Sequence, residues 1–341
     1  MSTPRVTPSS LRAALLLMPL CLCQLIAGAG GAARAQQQAQ QLPPVTNEDT
    51  AEGIKLYKQG DMKAAIKALS TVVEKRNGDV NAQYYLGMAL HSLGEMYAAR
   101  EPFETVVELL PNFADAHAKL AWMLILNNDT DGALREGGRA LELGVQTAEV
   151  YYAIGEAHLR QDQAAKALEK AEAALRVRPD MTEALILKSF AYFDLKRHGE
   201  AAETLERVLS LNPSGGDAQA WREQIETLRR FERTAARGDK PEEPRTAYAP
   251  REVEKKAHLL SRPEPQYTDE ARRVGAQGTV VLRAVFSSDG TVKNMYVKRA
   301  LGHGLTTAAV RAAREIKFEP ATIGGKPVSQ YIQVEYNFNI Y

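Results

Sequence analysis

The residue types that could do acid-base or metal chemistry in this chain are few and poorly spaced for it. Six histidines, His91, His117, His158, His198, His258 and His303, are scattered, with no H-E-x-x-H or comparable ligand spacing. His91 and His158 fall within apolar helical stretches, where surface or packing roles suit them better than ligation. Neither a P-loop nor a G-x-S-x-G elbow occurs, and "GHG" at 302–304 is too short to cradle a phosphate. Both cysteines, Cys21 and Cys23, lie in the first 35 residues, so the chain beyond them has no thiol for a disulfide or for thiolate-bound zinc. These spacings argue against an enzyme and give no reason to expect a metal or a cofactor.

What remains is main-chain chemistry. The stretch "QYIQVEYNFNIY", Gln330 to Tyr341, alternates apolar and polar side chains throughout. Period two marks a half-buried strand, with Ile332, Val334, Tyr336, Phe338 and Ile340 toward a core and Tyr331, Gln333, Glu335, Asn337, Asn339 and Tyr341 away from it. A strand edge templates pairing with another chain unless charge, proline or a bulge blunts it. Here the only charge is Glu335, and there is no proline.

Such a strand needs elements to carry it. At about 100 to 200 residues per domain, 341 residues predict two or three units. At the start of the chain, Arg5 and Arg12 precede an uncharged apolar run from Ala13 to Ala29, and "ARA" at Ala33 to Ala35 offers an A-x-A cleavage pattern. Residues 1–35 therefore read as a secretory signal peptide. The alternative is a short retained membrane anchor, since the 17-residue run is at the lower limit for spanning a bilayer. The first reading predicts a periplasmic protein and the second an inner-membrane protein facing the periplasm. Loss of Arg5, Arg12 and Arg34 takes the formal charge from +1 to −2, which gives no electrostatic case for nucleic acid. Residues 36–45 are glutamine-rich and are expected to be disordered.

From 46 to 235 the chain repeats itself. Ala65, Ala99, Ala133, Ala167 and Ala201 recur every 34 residues without a gap. Gly53, Gly87 and Gly155 keep the same step, with Ala121 and Ser189 in the two remaining places, and so do Pro111, Pro179 and Pro213. Small residues let paired helices approach, and proline falls where the second helix has ended. Repeat two, "YYLGMALHSLGEMYAAREPFETVVELLP", shows the unit as helix, turn and helix. The pattern resembles the tetratricopeptide repeat (TPR) family, although no repeat has the first signature tryptophan and Gly137 replaces a large apolar residue in repeat three. A further helix from about Asp217 to Arg233, with Trp221, Ile225, Leu228 and Phe231 on one stripe, is expected to cap the stack. The resemblance implies a superhelix whose groove is lined by Tyr57, Tyr84, Met88, Trp122, Ile125, Tyr152, Phe190 and Phe193. Such a groove would bind a protein partner, or else these side chains pack within the stack.

Residues 236–261 are rich in proline and charge and read as a linker reaching about 80 Å. Residues 262–341 alternate helix and strand. A short helix begins at Thr268, a hairpin turns at "SSDG", a second helix spans about Leu305 to Lys317, and the alternating strand follows. The expectation is a small α+β domain with a three-stranded antiparallel sheet and helices on one face. "PQYTDEARRVGAQGTVVLRAVFSSDGTVKNMYVKRA" followed by "AAVRAAREIKFEP" resembles the C-terminal domain of the TonB family. Thr268, Ile316 and "LGHG" depart from its usual proline, tryptophan and serine-rich turn. The resemblance implies a non-catalytic binding module that docks on an outer-membrane receptor by strand addition, in TonB-dependent transport. Matched by position, the edge is Tyr331 to Ile340, with Gln266 and Tyr267 as auxiliary contacts and Glu335 and Lys326 as steering charges. Two other readings stay open: an anchored energy transducer coupled to an inner-membrane motor complex, and a scaffold that homodimerises through the terminal strand.

Overall fold

The computed structural model describes residues 41–236 and 247–339. The expected signal peptide or anchor, residues 36–40 and 237–246, and the terminal Ile340 and Tyr341 lie outside the described residues. No helix among the described residues is long and apolar enough to cross a membrane.

Ten helices form five hairpins: α1 (Glu48–Lys58) with α2 (Met62–Lys75), α3 (Val80–Ser92) with α4 (Met96–Leu109), α5 (Ala114–Leu126) with α6 (Thr130–Glu142), α7 (Ala148–Arg160) with α8 (Ala164–Val177), and α9 (Thr182–Asp194) with α10 (His198–Leu211). Side-chain caps start several of them, as where Asp79 accepts from the Ala82 amide at 3.0 Å and Asp129 from the Gly132 amide at 2.8 Å. All five alanines of the 34-residue column are fully buried. The glycine column has a steric cause: a Cβ on Gly53 would lie 2.6 Å from Leu69 Cδ2, and one on Gly87 3.0 Å from the Phe103 ring. Where Gly137 leaves out the large side chain of repeat three, Ile154 of the next repeat fills the place.

The hairpin turns form a further 34-residue column. Gly60, Gly94, Asn128, Asp162 and Lys196 all have positive φ, between 57° and 84°. Only the first two are glycine, so side-chain type conceals a conformation that the backbone repeats throughout.

Helix α11 (Ala218–Ala236) follows, with Trp221, Leu228 and Phe231 buried. The terminal unit comprises β1 (Ala247–Tyr248), β2 (His258–Ser261), α12 (Asp269–Arg273), β3 (Gly278–Phe286), β4 (Val292–Arg299), α13 (Leu305–Arg314), β5 (Lys317–Glu319), β6 (Ala321–Ile323) and β7 (Lys326–Phe338). The expected three strands are the antiparallel core β4-β3-β7, but the sheet has five, in the order β1-β7-β3-β4 with β6 also paired to β7. A separate two-stranded sheet joins β2 to β5.

Residues 247–261, read from sequence as linker, are thus partly sheet. β1 runs parallel to β7 at Ser329 and Gln330, β2 pairs with β5, and the Ala257 amide donates to Gln330 Oε1 at 2.8 Å. Strands of two to four residues carry no period of their own, and pairing with a distant strand decides them. Residues 41–45 likewise do not stand off as an isolated tail. Leu42 packs near Val106 and Phe113, and the Pro43 carbonyl accepts from Asn81 Nδ2 at 3.0 Å.

One continuous hydrophobic core runs from the last two repeats through α11 into the terminal unit, from Leu159 to Phe338. At its centre Tyr296 of β4 stacks on Phe193, with ring centroids 3.6 Å apart, and meets Phe190 edge-on at 6.1 Å.

Candidate functional site

The terminal sheet has two outer strands along its main ladder, and they are treated differently. β4 faces the repeats: the Val297 amide donates to the buried Gln224 Oε1 of α11 at 3.1 Å. Because that amide points away from β3, its partner Leu282 turns its own main-chain groups toward β7. Leu282 pairs there with Val334, so Val334 bonds inward, as do Ile332, Tyr336 and Phe338 by alternation. The N–H and C=O groups of Tyr331, Gln333, Glu335 and Asn337 consequently point to the far side of β7. The Glu335 carbonyl confirms this direction by accepting a hydrogen bond from the Arg262 guanidinium, which also lies over the Tyr336 ring at 4.7 Å.

Among the described residues, β1 pairs with this far side at Ser329 and Gln330. Val334, Tyr336 and Phe338 are buried, Ile332 partly so, while Gln333, Glu335, Asn337 and Asn339 are exposed. Glu335 accepts from Gln333 Nε2 at 2.7 Å, and Lys326 sits exposed at the other end of the strand. Of the two auxiliary residues, Gln266 is exposed, whereas Tyr267 packs against Phe338 at 5.9 Å and donates its hydroxyl to the Ala276 carbonyl. Tyr267 therefore holds the domain together from within. Arg262, which lies directly on the edge, carries no sequence signal beyond its place before the "PEPQY" stretch.

The eight groove positions divide into groups. Tyr57, Tyr84 and Met88 are partly buried in the first two repeats, where Tyr84 meets Tyr85, Phe103 and Phe113 and bonds Asp115 at 2.6 Å. Burial, reinforced by the Asp115 charge, pushes the Tyr84 pKa well up, so the phenol stays protonated. Ile125 is fully buried in the stack. Phe193 is stacked under Tyr296 of the chain's own terminal domain, and Phe190 meets the edges of Tyr296 and of Trp221 of α11. Trp122 and Tyr152, 5.1 Å apart, line an 870 Å³ cavity between the repeats and the terminal domain, and Phe190 reaches it too.

The residues that dock the two units were not legible as such. Asp217 stands just before α11, where a carboxylate ordinarily caps its own helix. It accepts instead from the Gly304 and Thr307 amides at the start of α13, at 3.1 and 3.0 Å. Burial raises its pKa, against the lowering effect of those hydrogen bonds. A Cβ on Gly216 would lie 2.7 Å from Gly304 Cα, so glycine there permits the approach. Arg314 pairs with Glu223 and Arg230 donates to Asn294 at 2.7 Å across the same junction. Tyr296 and Val297 are buried consecutively, so β4 is covered on both faces at this point.

Among the described residues no group of three His, Cys, Asp or Glu side chains is placed to hold a metal ion. Residues 263–340 match the family model of the Gram-negative bacterial TonB protein C-terminal domain, and residues 50–112 and 152–220 match a tetratricopeptide repeat model. Protein TonB of Xanthomonas campestris pv. campestris is 36% identical over 75 residues, 22% of this chain and 34% of the relative. Protein tonB2 of Pseudomonas aeruginosa is 33% identical over 85 residues, 25% of this chain and 32% of the relative. The chain thus spans about a third of the length of the relatives it matches. Among solved structures, the crystal structure of MamA is 24% identical with a TM-score of 0.40, covering 47% of this chain and 94% of that one. YrrB, a TPR protein with an unusual peptide-binding site, is 18% identical with a TM-score of 0.43, covering 51% and 90%. With its five helical hairpins and its matched terminal sheet, the chain is a tetratricopeptide repeat protein with a C-terminal TonB-family domain.

Proposed function

We propose that this protein is a non-catalytic adaptor of the cell envelope, exported to the periplasm. Its terminal domain takes an extended segment of an outer-membrane receptor as an added strand on β7, in TonB-dependent transport, while the repeats hold a second protein. The observation that carries the reading is the outward direction of the main-chain groups of Gln333, Glu335 and Asn337, on the side of β7 opposite β3. Strand addition uses such a row of donors and acceptors for affinity and alternate side chains for specificity. On the sheet's other long edge, α11 occupies the Val297 amide through Gln224.

The direction of these groups also selects the test. Val334 bonds to β3, so proline there would damage the fold; Gln333 points outward, and proline at an edge position removes only the external donor. The full chain and Gln333→Pro are compared for capture on immobilised peptides copying the periplasm-facing segments of outer-membrane receptors. The reading predicts capture by the wild type and its loss in Gln333→Pro at unchanged oligomer size. Equal capture by both contradicts it, and a collapse of oligomer size in the variant makes the edge a homodimer interface instead.

A further inference from the structure

The sequence holds one Pro-Pro pair, in the stretch "QLPPV" at 41–45. Proline fixes its own φ and keeps the residue before it extended, so Leu42, Pro43 and Pro44 are pre-set for the polyproline II form. Proline also lacks an N–H, which leaves its carbonyl as the main-chain means of attachment. That carbonyl is used: Pro43 accepts from Asn81 Nδ2 of α3 at 3.0 Å, and Asn81 is only 5% exposed. Leu42 enters a socket formed by Val106, Phe113 and Ala116 and flanked by Tyr84, where α4 gives way to α5. The socket is already shaped. Tyr84 and Phe113 meet edge-on at 5.2 Å, and the Tyr84 hydroxyl donates to the Asp115 carboxylate at 2.6 Å. An aromatic-walled socket is the usual receiver of a proline-rich segment.

The donor that grips the carbonyl is peculiar to the second repeat. The 34-residue step puts Asp115, Glu149 and Glu183 at the same place in later repeats, and carboxylates only accept. Asn47, at that place in the first repeat, is engaged as the cap of α1, where it accepts from the Asp49 amide at 3.0 Å. The arrangement is therefore not a property of the repeat as such. The hold on its occupant is light: of residues 41–45 only Leu42 is even partly buried, and Val45 is 42% exposed. A segment with so few buried contacts is released at small cost. We infer that Asn81, Tyr84, Val106 and Phe113 form a binding site for a Leu-Pro-Pro segment of a partner protein, which residues 42–44 fill as an intramolecular stand-in. The partner must displace the stand-in, so its apparent affinity is reduced by the fraction of molecules whose socket is vacant. The proposal rests on the reading that the repeats hold a second protein, and it gives that protein a place and a motif.

The test uses the full chain and the variant Leu42→Asp, whose charge is disfavoured in the apolar socket and so vacates it. The probe is a fluorescein-labelled, blocked peptide of Leu-Pro-Pro between alanine flanks, read by fluorescence anisotropy; the control peptide has glycine in place of both prolines. The probe is expected to bind Leu42→Asp saturably and the wild type about tenfold or more weakly, because the wild-type socket is already filled. The control should bind neither. Adding Asn81→Asp to Leu42→Asp installs the residue that the third repeat carries as Asp115, and should weaken the probe about tenfold by removing the donor. Should Leu42→Asp fold poorly, the double variant Pro43→Gly and Pro44→Gly loosens the stand-in without a buried charge and should also bind the probe more tightly than the wild type does. Gln333→Pro should leave probe binding unchanged, so failure here is separable from failure of the strand reading. Absence of saturable binding to both vacated variants, equal binding of the two peptides, or one affinity for wild type and vacated variants would overturn the proposal. So would conversion of a wild-type dimer to monomer by Leu42→Asp, which would make the occupant the same segment of a second copy.

Discussion

Phe193 of the fifth repeat and Tyr296 of β4 stack with centroids 3.6 Å apart and planes 16° from parallel. A residue assigned by its repeat position to a groove for foreign protein is thereby occupied by the chain's own terminal domain. Aromatic pairs add about 0.5–1.5 kcal/mol beyond the area they bury, and this one sits at the centre of the continuous core. The repeats and the terminal domain accordingly form one body.

That relationship predicts the behaviour of a chain cut between its units. With a protease site placed between residues 237 and 246, the two halves of the wild type should co-elute in gel filtration after cleavage. Tyr296→Ala removes a buried aromatic, a loss of about 3–5 kcal/mol for such truncations, and the cut halves should then separate. Separation of the wild-type halves would mean that the interface does not hold by itself.

Asp217 gives the docking a pH dependence with a definite sign. Its pKa is raised in the folded chain, so the folded state binds the proton more tightly than the unfolded state. Stability from this group is therefore greatest in acid and falls as pH rises through the ordinary carboxylate value and then the raised one. His303 and Glu270, near the same helix start, are the other titrating groups to control for. The difference in thermal midpoint between the wild type and Asp217→Asn should move in favour of the wild type as pH is lowered from 7 to 4. Asp217→Ala, which leaves two buried amides without an acceptor, should be destabilised at every pH by about 1–3 kcal/mol.

The turn column predicts an unusual pair of substitutions. Lys196 adopts φ 63°, a left-handed conformation that disfavours a side chain by about 1–2 kcal/mol. Lys196→Gly should therefore raise the thermal midpoint. Gly53→Ala should lower it, because the added Cβ meets Leu69 at 2.6 Å within a packed helix pair. Thermal unfolding of both variants checks the two directions together.

The contrast between these positions shows what the sequence could and could not convey. The alanine and glycine columns were readable because a close helix approach admits few residue types, and all five alanines are indeed fully buried. The turn column was readable only at Gly60 and Gly94, since Asn128, Asp162 and Lys196 adopt the same backbone with ordinary side chains. Alternation in β7 identified its buried face correctly at Val334, Tyr336 and Phe338. It could not say which main-chain groups face outward, because that depends on the register with β3 and on Gln224 reaching Val297. Tyr296 and Asp217 were missed for one reason: each acquires its partner from the other unit, at sequence separations that no local period records.

The central claim concerns the outward-facing edge of β7 at Gln333 and Glu335, and amide hydrogen exchange of the full chain tests it most directly, residue by residue. Without partner, the Val334 and Tyr336 amides should be protected by β3 while those of Gln333 and Glu335 exchange quickly. On saturation with a receptor segment that the chain captures, Gln333 and Glu335 should slow by about a hundredfold or more, with Val334 little changed. If the segment binds and leaves Gln333 and Glu335 exchanging as fast as before, β7 is not where the partner strand adds.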